Sequence, residues 1–353
     1  MRLPARSGMV PVVVGRGVAA GKLAGLPRWA SGMLVADRAV AQAHGAVLDA
    51  LSGALVQTPA EALLLDAGEQ TKDATNLVPL WTQLDRRGLD RGGAIVVAGG
   101  GSVLDVGAFL AATWLRGVDL VVVPTTLLAQ VDAGLGGKCG VNLGHAKNQV
   151  GAIWQPRVIV ADVDLLRGLP AAEVASGMGE VVKTALLSGP DLVERVGRLD
   201  GSDVLGDPGL DAVVGDCLRY KASVVEEDER ESGRRAVLNL GHTVAHVIES
   251  LALEAGTPLP HGVAVAIGIR AETDAFCGDA SCREDVAKLM AHAGLQSTAE
   301  VPFSADRARA LLLRDKKRRG AGIQIPVLHG IGDVRLEEKA AEALLDACRA
   351  ALS

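Results

Sequence analysis

The sequence predicts an α/β fold in two domains, an N-terminal parallel-sheet domain at 1–158 and a mainly α-helical domain at 159–353. The length of 353 residues is about twice that of a typical domain, so each half is long enough to bury its own core. The first half alternates short apolar runs with stretches of helical periodicity. From about residue 165 the chain changes to long segments rich in Ala, Leu, Val and Glu, which are typical of helices.

Four apolar runs in the first half predict buried strands. Each is continuous rather than alternating and has turn residues near its ends, at 33–36, 62–65, 93–98 and 120–124. Helix-period segments, such as 39–51 and 76–87, separate these runs. Repeated strand–helix–strand order builds a parallel sheet covered on both faces, so we predict a Rossmann-like arrangement.

Helix-like segments dominate the second half, including 171–188, 210–229 and 243–254. Neither an internal repeat nor a low-complexity linker separates the halves. We therefore expect the two domains to pack closely and to leave a cleft, which is a common place for a ligand site.

Composition excludes several classes of protein. One Tyr, three Phe and four Trp are too few for platforms that stack on bases, and a net charge of −6 without a basic stripe argues against a nucleic-acid partner. Five scattered cysteines without a C-x-x-C pair are typical of free thiols in a reducing compartment. The first residues lack the apolar segment of a secretory signal, and no run reaches about 18 apolar residues. We therefore expect a cytoplasmic protein without a membrane partner.

A glycine-rich turn at 99–101 is a candidate phosphate-binding site. Glycines let backbone N–H groups approach a pyrophosphate, and the helix that follows adds positive charge at its N-terminus. The G-x-G-x-x-G spacing is missing, and a tight turn with Ser102 as helix cap is an equally good interpretation of the turn alone. Asp37 after an apolar run, and the hydroxyls of Thr125 and Thr126 after another, favour a nucleotide.

A carboxylate and a group of imidazoles in the second half are candidate metal ligands. Glu180 with two imidazoles from His242, His246 and His261 would suit a catalytic zinc site that keeps one position open. His242 and His246 are four residues apart and share a helix face, although no H-E-x-x-H motif is present. A single helical histidine is more often a surface or hydrogen-bonded core residue than a metal ligand. The grouping of the three histidines raises the odds of a metal site, but a structural role stays favoured for each residue on spacing alone.

Cations in polar segments predict an anionic substrate. Lys138 and Lys147 flank Asn142 and Asn148, close to where the domains should meet. Further cations of this kind are Lys183, Lys221, Arg235, Lys316 and Lys317. Each alone is most simply a solvated surface group, whereas a cluster in a cleft of an acidic protein suggests a small anion.

Motifs in one order over about residues 10–335 carry a resemblance to a known family. They are GEQTK at 68–72, VPTTLLAQVD at 123–132, GGK at 136–138, VN at 141–142, KN at 147–148, GEVVK at 179–183, the charged run at 221–235, LNLGHT at 238–243, His246, His261 with Gly262, and DKK at 315–317. With these motifs the chain resembles the 3-dehydroquinate synthase family of the sugar phosphate cyclase superfamily.

The resemblance implies a role for each matching residue. Zn²⁺ or Co²⁺ would be held by Glu180, His242 and His261. NAD would be bound by Asp37, Glu69, Lys72, Gly99, Gly100, Gly101, Ser102, Asp105, Thr125 and Thr126. The substrate would be surrounded by Asp132, Lys138, Lys147, Asn148, Lys183, Lys221, Arg235, Asn239, His246 and one or both of Lys316 and Lys317. In a homodimer, Arg116 would reach the substrate phosphate of the neighbouring subunit.

The resemblance also implies a reaction of the shikimate pathway. A lyase of this family converts 3-deoxy-D-arabino-heptulosonate 7-phosphate to 3-dehydroquinate and phosphate. NAD⁺ takes a hydride from C5, phosphate is eliminated, NADH returns the hydride, and an intramolecular aldol reaction closes the carbocycle after ring opening.

Departures from the family pattern leave alternatives open. Ala146 and Val263 stand where the family usually has Gly and Glu, which puts the substrate in doubt between this acid, its amino analogue and another sugar phosphate. Retention of Lys221, Arg235 and Asn239 favours a substrate that carries a carboxylate. Two other classes are a metal-dependent NAD(P) alcohol dehydrogenase, which would not need the Lys- and Asn-rich segment, and a nucleotide-binding regulatory module without metal or turnover.

Overall fold

The computed structural model describes residues 1–5, 8–21, 23, 25–144, 146–228, 233–314, 318–319 and 322–352. Their contacts divide the chain into two compact units, Met1–Leu169 and Pro170–Ser353. The predicted boundary at 158 precedes this division because strand Val158–Asp162 pairs with strands of the first unit.

A seven-stranded sheet forms the centre of the first unit. The strands of this unit are β1 (Arg2–Ala5), β2 (Gly8–Gly15), β3 (Trp29–Asp37), β4 (Val56–Leu65), β5 (Ala94–Gly99), β6 (Asp119–Pro124), β7 (Lys138–Leu143), β8 (Ala146–Ile153) and β9 (Val158–Asp162). The sheet order is β1-β2-β9-β6-β5-β3-β4, with β1 antiparallel to β2 and every other neighbouring pair parallel. The four predicted strands and the α/β class are confirmed.

Helices of the first unit lie against both faces of this sheet. Those on the sheet are α1 (Arg38–Leu55) and α3 (Gly101–Thr113), and α2 (Leu77–Arg86) packs against α3. Leu34 and Val96 belong to the same buried cluster as Leu51 of α1. Val97, the next residue along β5, faces the other way onto α3, where a Cβ at Gly107 would lie 2.3 Å from its side chain. Successive strand residues therefore pack against different helices, as expected for a covered parallel sheet.

An antiparallel hairpin of β7 and β8 is a feature that the sequence did not predict. Gly, Asn and Lys interrupt the apolar pattern in both strands, and most β8 residues are exposed. The hairpin packs against α3 through β7. It carries several of the predicted substrate-binding residues.

Helices dominate the second unit, as predicted. They are α4 (Ala171–Ser188), α5 (Pro190–Val196), α6 (Leu210–Glu227), α7 (His242–Glu254), α8 (His261–Phe276), α9 (Ala280–His292), α10 (Ala305–Arg314) and α11 (Ala341–Ala351). An unpredicted antiparallel sheet accompanies them, formed by β10 (Arg318–Arg319), β11 (Gly322–Gly330) and β12 (Asp333–Ala340). Ile323 and Ile325 of β11 share a buried core with α7, α8 and α11.

Two further expectations can be compared with the structure. All five cysteines are free and buried, which confirms the prediction of free thiols. Within the described ranges, no helix combines the length and the apolar character that a membrane span requires.

Candidate active site

Three side chains of the second unit converge into a group that could hold a metal ion. Glu180 lies in the middle of α4 and is 1% exposed, whereas His242 and His261 are the first residues of α7 and α8. The Nε2 atoms of His242 and His261 lie 3.7 and 3.6 Å from Oε1 of Glu180. One donor atom from each residue lies within 4.8 Å of the other two.

Close backbone contacts between helices place these side chains together. A Cβ at Gly179 would lie 1.9 Å from the carbonyl oxygen of Gly262, so α4 and α8 touch next to Glu180 and His261. The amide of Gly262 also donates to Oγ of Ser176, at 3.0 Å. The glycines beside the acid and beside His261 are therefore required by helix packing, since any side chain would separate the two helices.

The donor set fits a divalent metal such as zinc. Neither carboxylate oxygen of Glu180 accepts a hydrogen bond among the described residues, although Lys183 forms an ion pair with Oε2. Nδ1 of His242 bonds the carbonyl oxygen of Leu240 and Nδ1 of His261 bonds Oε1 of Glu249, both at 3.1 Å. These bonds assign the proton to Nδ1 and leave each Nε2 lone pair directed at the site, which is the usual arrangement of metal-ligating histidines.

The pKa values of the two imidazoles differ because their neighbours differ. Burial, followed by the positive charge of Lys183, holds the pKa of His242 well below its ordinary value, so this ring is neutral and able to ligate. Burial alone would lower the pKa of His261, but its hydrogen bond to Glu249 and the charge of that carboxylate raise it above the ordinary value.

His246 lies beside the group without belonging to it. Its ring centroid is 5.7 Å from that of His242 and 6.5 Å from that of His261, and the residue is exposed. Helix spacing alone pairs His242 with His246, whereas the three-residue group has the members that the family resemblance implies, Glu180, His242 and His261.

Three cations of the second unit are buried. Lys183 on α4, Lys221 on α6 and Arg235 in the 3-10 turn Arg234–Asn239 are 2, 8 and 5% exposed. The carboxylate of Asp228 accepts hydrogen bonds from the amides of Gly233 and Arg235 at 2.7 and 3.0 Å and so fixes this turn, which also contains Asn239. Burial of cations is costly unless anions or acceptors accompany them. Lys316 and Lys317 lie outside the described residues.

In the first unit, predicted nucleotide-binding residues meet at the carboxyl ends of three neighbouring strands. Asp37 ends β3, Gly99 ends β5 and Thr125 follows β6. Oδ1 of Asp37 accepts hydrogen bonds from two amides of α1, at 2.8 and 3.4 Å, so this acid is also a helix cap. The hydroxyl of Thr125 is buried and has no hydrogen-bond partner within the described part of the chain, whereas Oγ1 of Thr126 accepts from the amide of Ala129.

Close packing explains two of the three glycines in the turn at 99–101. A Cβ at Gly99 would lie 2.6 Å from Val103, and one at Gly100 would lie 3.0 Å from Thr126, so both glycines allow close packing. At Gly101 the nearest atom is 3.7 Å away, which is ordinary contact. The alternative that Ser102 caps α3 is wrong: Gly100 is the N-cap, and Oγ of Ser102 accepts from the amide of Gly68 at 3.2 Å.

A polar network joins predicted nucleotide-binding residues to predicted substrate-binding residues. Nζ of Lys72 donates to Oδ2 of Asp105 at 2.6 Å and to Oδ1 of Asn148 at 2.5 Å. Asn142 accepts from the amide of Asn148 at 2.9 Å and donates to Oε1 of Glu69 at 2.7 Å. Burial raises the pKa of Asp105 against the opposing effect of Lys72. Asn148 adopts a φ of 52°, a conformation that Asn tolerates better than most residues.

A pocket of about 560 Å³ lies beside this network. It is lined by Asp105, Lys138, Cys139, Gly140, Asn148, Gln149, Gly151, Ala152 and Ile153. Lys147 is exposed on β8, and Asp132 is half-buried in the π-helical turn Ala129–Ala133. Arg116 is exposed, with a φ of 66°, in the turn after α3. The ligand roles predicted for these residues stay predictions.

Sequence reasoning missed two acids near the metal group: Glu249, which bonds the ring of His261, and Glu272, which bonds the backbone on both sides of His242. Glu249 follows His246 by three residues, so the helical spacing that related His242 to His246 would have extended to it. Glu272 lies far along α8 and is recognisable only from the packing of α7 against α8.

Comparisons with known proteins identify the family. The family model for the 3-dehydroquinate synthase N-terminal region matches residues 62–176, and the one for the C-terminal region matches 177–318. The 3-dehydroquinate synthase of Geobacter metallireducens is 43% identical over 313 residues, covering 86% of this chain and 85% of its own. That of Symbiobacterium thermophilum is 39% identical over 336 residues, covering 92% and 91%.

Solved structures share the fold at lower identity. A 2-deoxy-scyllo-inosose synthase complexed with carbaglucose-6-phosphate, NAD⁺ and Co²⁺ superposes with a TM-score of 0.87 at 24% identity, over all of both chains. A 2-epi-5-epi-valiolone synthase of Streptomyces hygroscopicus with NAD⁺ and Zn²⁺ has a TM-score of 0.85 at 24% identity, covering 98% of this chain and 97% of its own. The matches in sequence, over most of both partners, decide the relationship: the chain belongs to the 3-dehydroquinate synthase family.

Proposed function

We propose that this chain converts 3-deoxy-D-arabino-heptulosonate 7-phosphate to 3-dehydroquinate and phosphate, using NAD⁺ and a divalent metal. Membership of the family supports the reaction. The observation that carries the proposal is the buried Glu180 carboxylate, which accepts no hydrogen bond among the described residues and faces the Nε2 atoms of two histidines.

Glu180, His242 and His261 would hold the metal, which we propose to be Zn²⁺ or Co²⁺. When bound, such an ion polarises a substrate hydroxyl so that the proton is lost more easily. The Nδ1 hydrogen bonds of the two histidines keep both rings in the orientation that ligation needs. His246, whose ring lies beside both histidine rings, keeps its proposed role as a contact of the substrate.

The carboxyl edge of β3, β5 and β6 would bind NAD⁺, which supplies a reversible hydride acceptor when bound. The proposed contacts are Asp37, Glu69, Lys72, Gly99, Gly100, Gly101, Ser102, Asp105, Thr125 and Thr126. Two observations support them: the buried hydroxyl of Thr125 has no hydrogen-bond partner in the described ranges, and α3 begins directly after the glycine-rich end of β5.

The buried cations support the proposal of an anionic substrate. Lys183, Lys221 and Arg235, with Asn239, would bind the phosphate or carboxylate of a small anionic sugar acid. In the first unit, Lys138, Asn148 and Asp132 would contact the same class of molecule, with Lys147 nearby. Lys316 and Lys317 keep the same proposed role.

We further propose that the enzyme acts in the cytoplasm as a homodimer. The exposed position of Arg116 in its turn is compatible with contact to a neighbouring subunit. Sedimentation of the wild-type chain and of Arg116→Ala, with phosphate release measured on both, tests this. A monomer that is fully active would exclude the proposed contact.

The decisive experiment is a phosphate-release assay with product identification on three substrates: the heptulosonate phosphate, its amino analogue and sedoheptulose 7-phosphate. We expect phosphate release with 3-dehydroquinate as the product and no accumulating NADH. Stoichiometric NADH formation would instead indicate an alcohol dehydrogenase. Turnover of only the amino analogue or of sedoheptulose 7-phosphate would reassign the substrate.

A further inference from the structure

The two helices that begin with the histidine ligands are linked to each other by two carboxylates. His242 starts α7 and His261 starts α8. Glu249, on α7, bonds the ring of His261. Glu272, on α8, bonds the backbone at the start of α7. Each helix therefore sends one acid to the histidine-bearing end of the other.

Glu249 controls which nitrogen of His261 is available. Its Oε1 lies 3.1 Å from Nδ1, and the Glu249 side chain is 28% exposed. With the proton on Nδ1, the Nε2 lone pair of His261 is directed towards Glu180, 3.6 Å away. A carboxylate in this position also raises the basicity of the imidazole and its strength as a ligand.

Glu272 caps α7 from outside that helix. Its Oε2 accepts from the amide of Gly241 at 2.9 Å, and its Oε1 accepts from the amide of Val244 at 3.2 Å. The N-cap itself is Gly241, with a φ of 77°. A Cβ there would lie 2.6 Å from the amide nitrogen of Ile269, so no capping side chain fits at this position. Glu272, 3% exposed, takes that role and ties the first turn of α7, including His242, to α8.

We propose that Glu249 and Glu272 form a reciprocal clamp that positions His261 and His242 for metal binding. Glu249 orients one imidazole through its side chain, and Glu272 holds the other through the backbone of its helix. Both are positioning residues and neither has a role in the ligand set itself. The inference rests on the proposed metal centre.

Affinity for Co²⁺ and Zn²⁺, measured by competition with a chromophoric chelator, tests the Glu249 half. We expect Glu249→Ala to bind 10- to 100-fold more weakly, which is about the range found when the hydrogen-bond partner of a ligating histidine is removed. Glu249→Gln, which keeps an acceptor but loses the charge, should lie between Glu249→Ala and the wild type. The visible Co²⁺ spectrum should shift in Glu249→Ala. Glu254→Ala is the matched control, because Glu254 lies on the same helix in a surface pair with Arg307.

Glu272→Gln tests the other half, with Asp274→Asn on the same helix as its control. The two oxygens of Glu272 accept from separate backbone N–H groups. In Glu272→Gln the side-chain NH₂ would replace one of these oxygens and face a backbone N–H, so one hydrogen bond would be lost. We expect weaker metal binding together with a lower Tm. If Glu272→Gln does not yield folded protein, Glu272→Asp, which keeps the charge and shortens the side chain, is measured in the same way.

The failures of the two proposals are distinguishable. A wild-type chain that binds neither ion would overturn the metal centre and the clamp with it. Wild-type binding with Glu249→Ala and the folded Glu272 variant both within twofold of their controls would overturn the clamp alone.

Discussion

The two units hold their predicted ligand-binding residues in different ways. In the first unit these side chains bond one another, with Lys72 between Asp105 and Asn148 and with Asn142 on Glu69. In the second unit the buried carboxylate of Glu180 accepts no hydrogen bond among the described residues; its Oε2 forms an ion pair with Lys183, and its Oε1 faces two imidazole nitrogens.

These two arrangements place different requirements on a ligand. A polar network that the protein satisfies itself is stable without a ligand, and a ligand has to compete with its internal bonds. A buried carboxylate is costly. In Glu180 the ion pair with Lys183 involves Oε2, while Oε1 faces the Nε2 atoms of two histidines, so a metal ion would add a counter-charge there. We therefore expect a metal to stabilise the second unit strongly, whereas the network stabilises the first unit by itself.

Removal of the Glu180 charge should have the largest effect. A bound metal supplies several kcal/mol of charge stabilisation in the transition state, so we expect Glu180→Gln to lose activity on the order of 1,000-fold. Phosphate release and metal content by elemental analysis measure the change, with circular dichroism as the check on folding. Glu173→Gln, an exposed acid in the first turn of α4, is the control. Undiminished turnover of folded Glu180→Gln would refute the metal assignment.

Metal binding should also appear as stability. Zn²⁺ at 100 times its Kd should stabilise the wild-type chain by about 2.7 kcal/mol, and Glu180→Gln should show little of this gain. Thermal unfolding with and without Zn²⁺, and after treatment with a chelator, measures the effect. Equal stabilisation of both chains would mean that the ion binds elsewhere, and the contrast between the two units would be lost.

Loss of Lys72 tests the other side of the comparison. Lys72→Met removes the group that joins Asp105 to Asn148, so the half-buried carboxylate of Asp105 loses its cation. We expect a stability loss of about 1–3 kcal/mol in urea unfolding and weaker NAD⁺ binding in calorimetry. Lys288→Met, which breaks an exposed pair with Glu284, should change neither. If Lys72→Met matches that control in stability, the network contributes nothing without its ligand.

The strands of the parallel sheet were predictable because burial on both faces leaves continuous apolar runs. The runs at 93–98 and 120–124 became β5 and β6. The β7–β8 hairpin was not predictable in this way, since its strands pack against α3 on one side and carry exposed polar residues. Its pairing is set by tertiary contacts that leave no periodic signal.

Prediction of the metal group from the sequence meets a similar limit. Its residue types were recognisable, but spacing within one helix pointed to His246, whereas the structure pairs His242 with the first residue of the next helix. Contact of α8 with α4 at Gly262 and with α7 at Gly268 decides this choice. Such contacts depend on how three helices pack, and helical periodicity describes only one helix at a time.

Cys139 offers a probe of the packing of the first unit. It lines the pocket beside Asp105, and burial raises the pKa of its thiol to about 12. At pH 8 the folded thiol is therefore almost entirely protonated, whereas an unfolded thiol with a pKa of about 8.5 is partly ionised. We expect alkylation of Cys139, followed by mass spectrometry, to be more than about 1,000-fold slower in the folded chain than in urea.

The direction in which pH changes the stability follows from the raised pKa of Cys139. Above about pH 8.5 the unfolded thiol loses its proton while the folded thiol keeps it, so the contribution of Cys139 to folding falls as the pH rises. If the Lys72 network holds the hairpin closed against α3, Lys72→Met should speed alkylation of Cys139 and Lys288→Met should not. Equal protection in both variants would show that the hairpin packs independently of the network, and that the first unit needs its internal bonds only for ligand recognition.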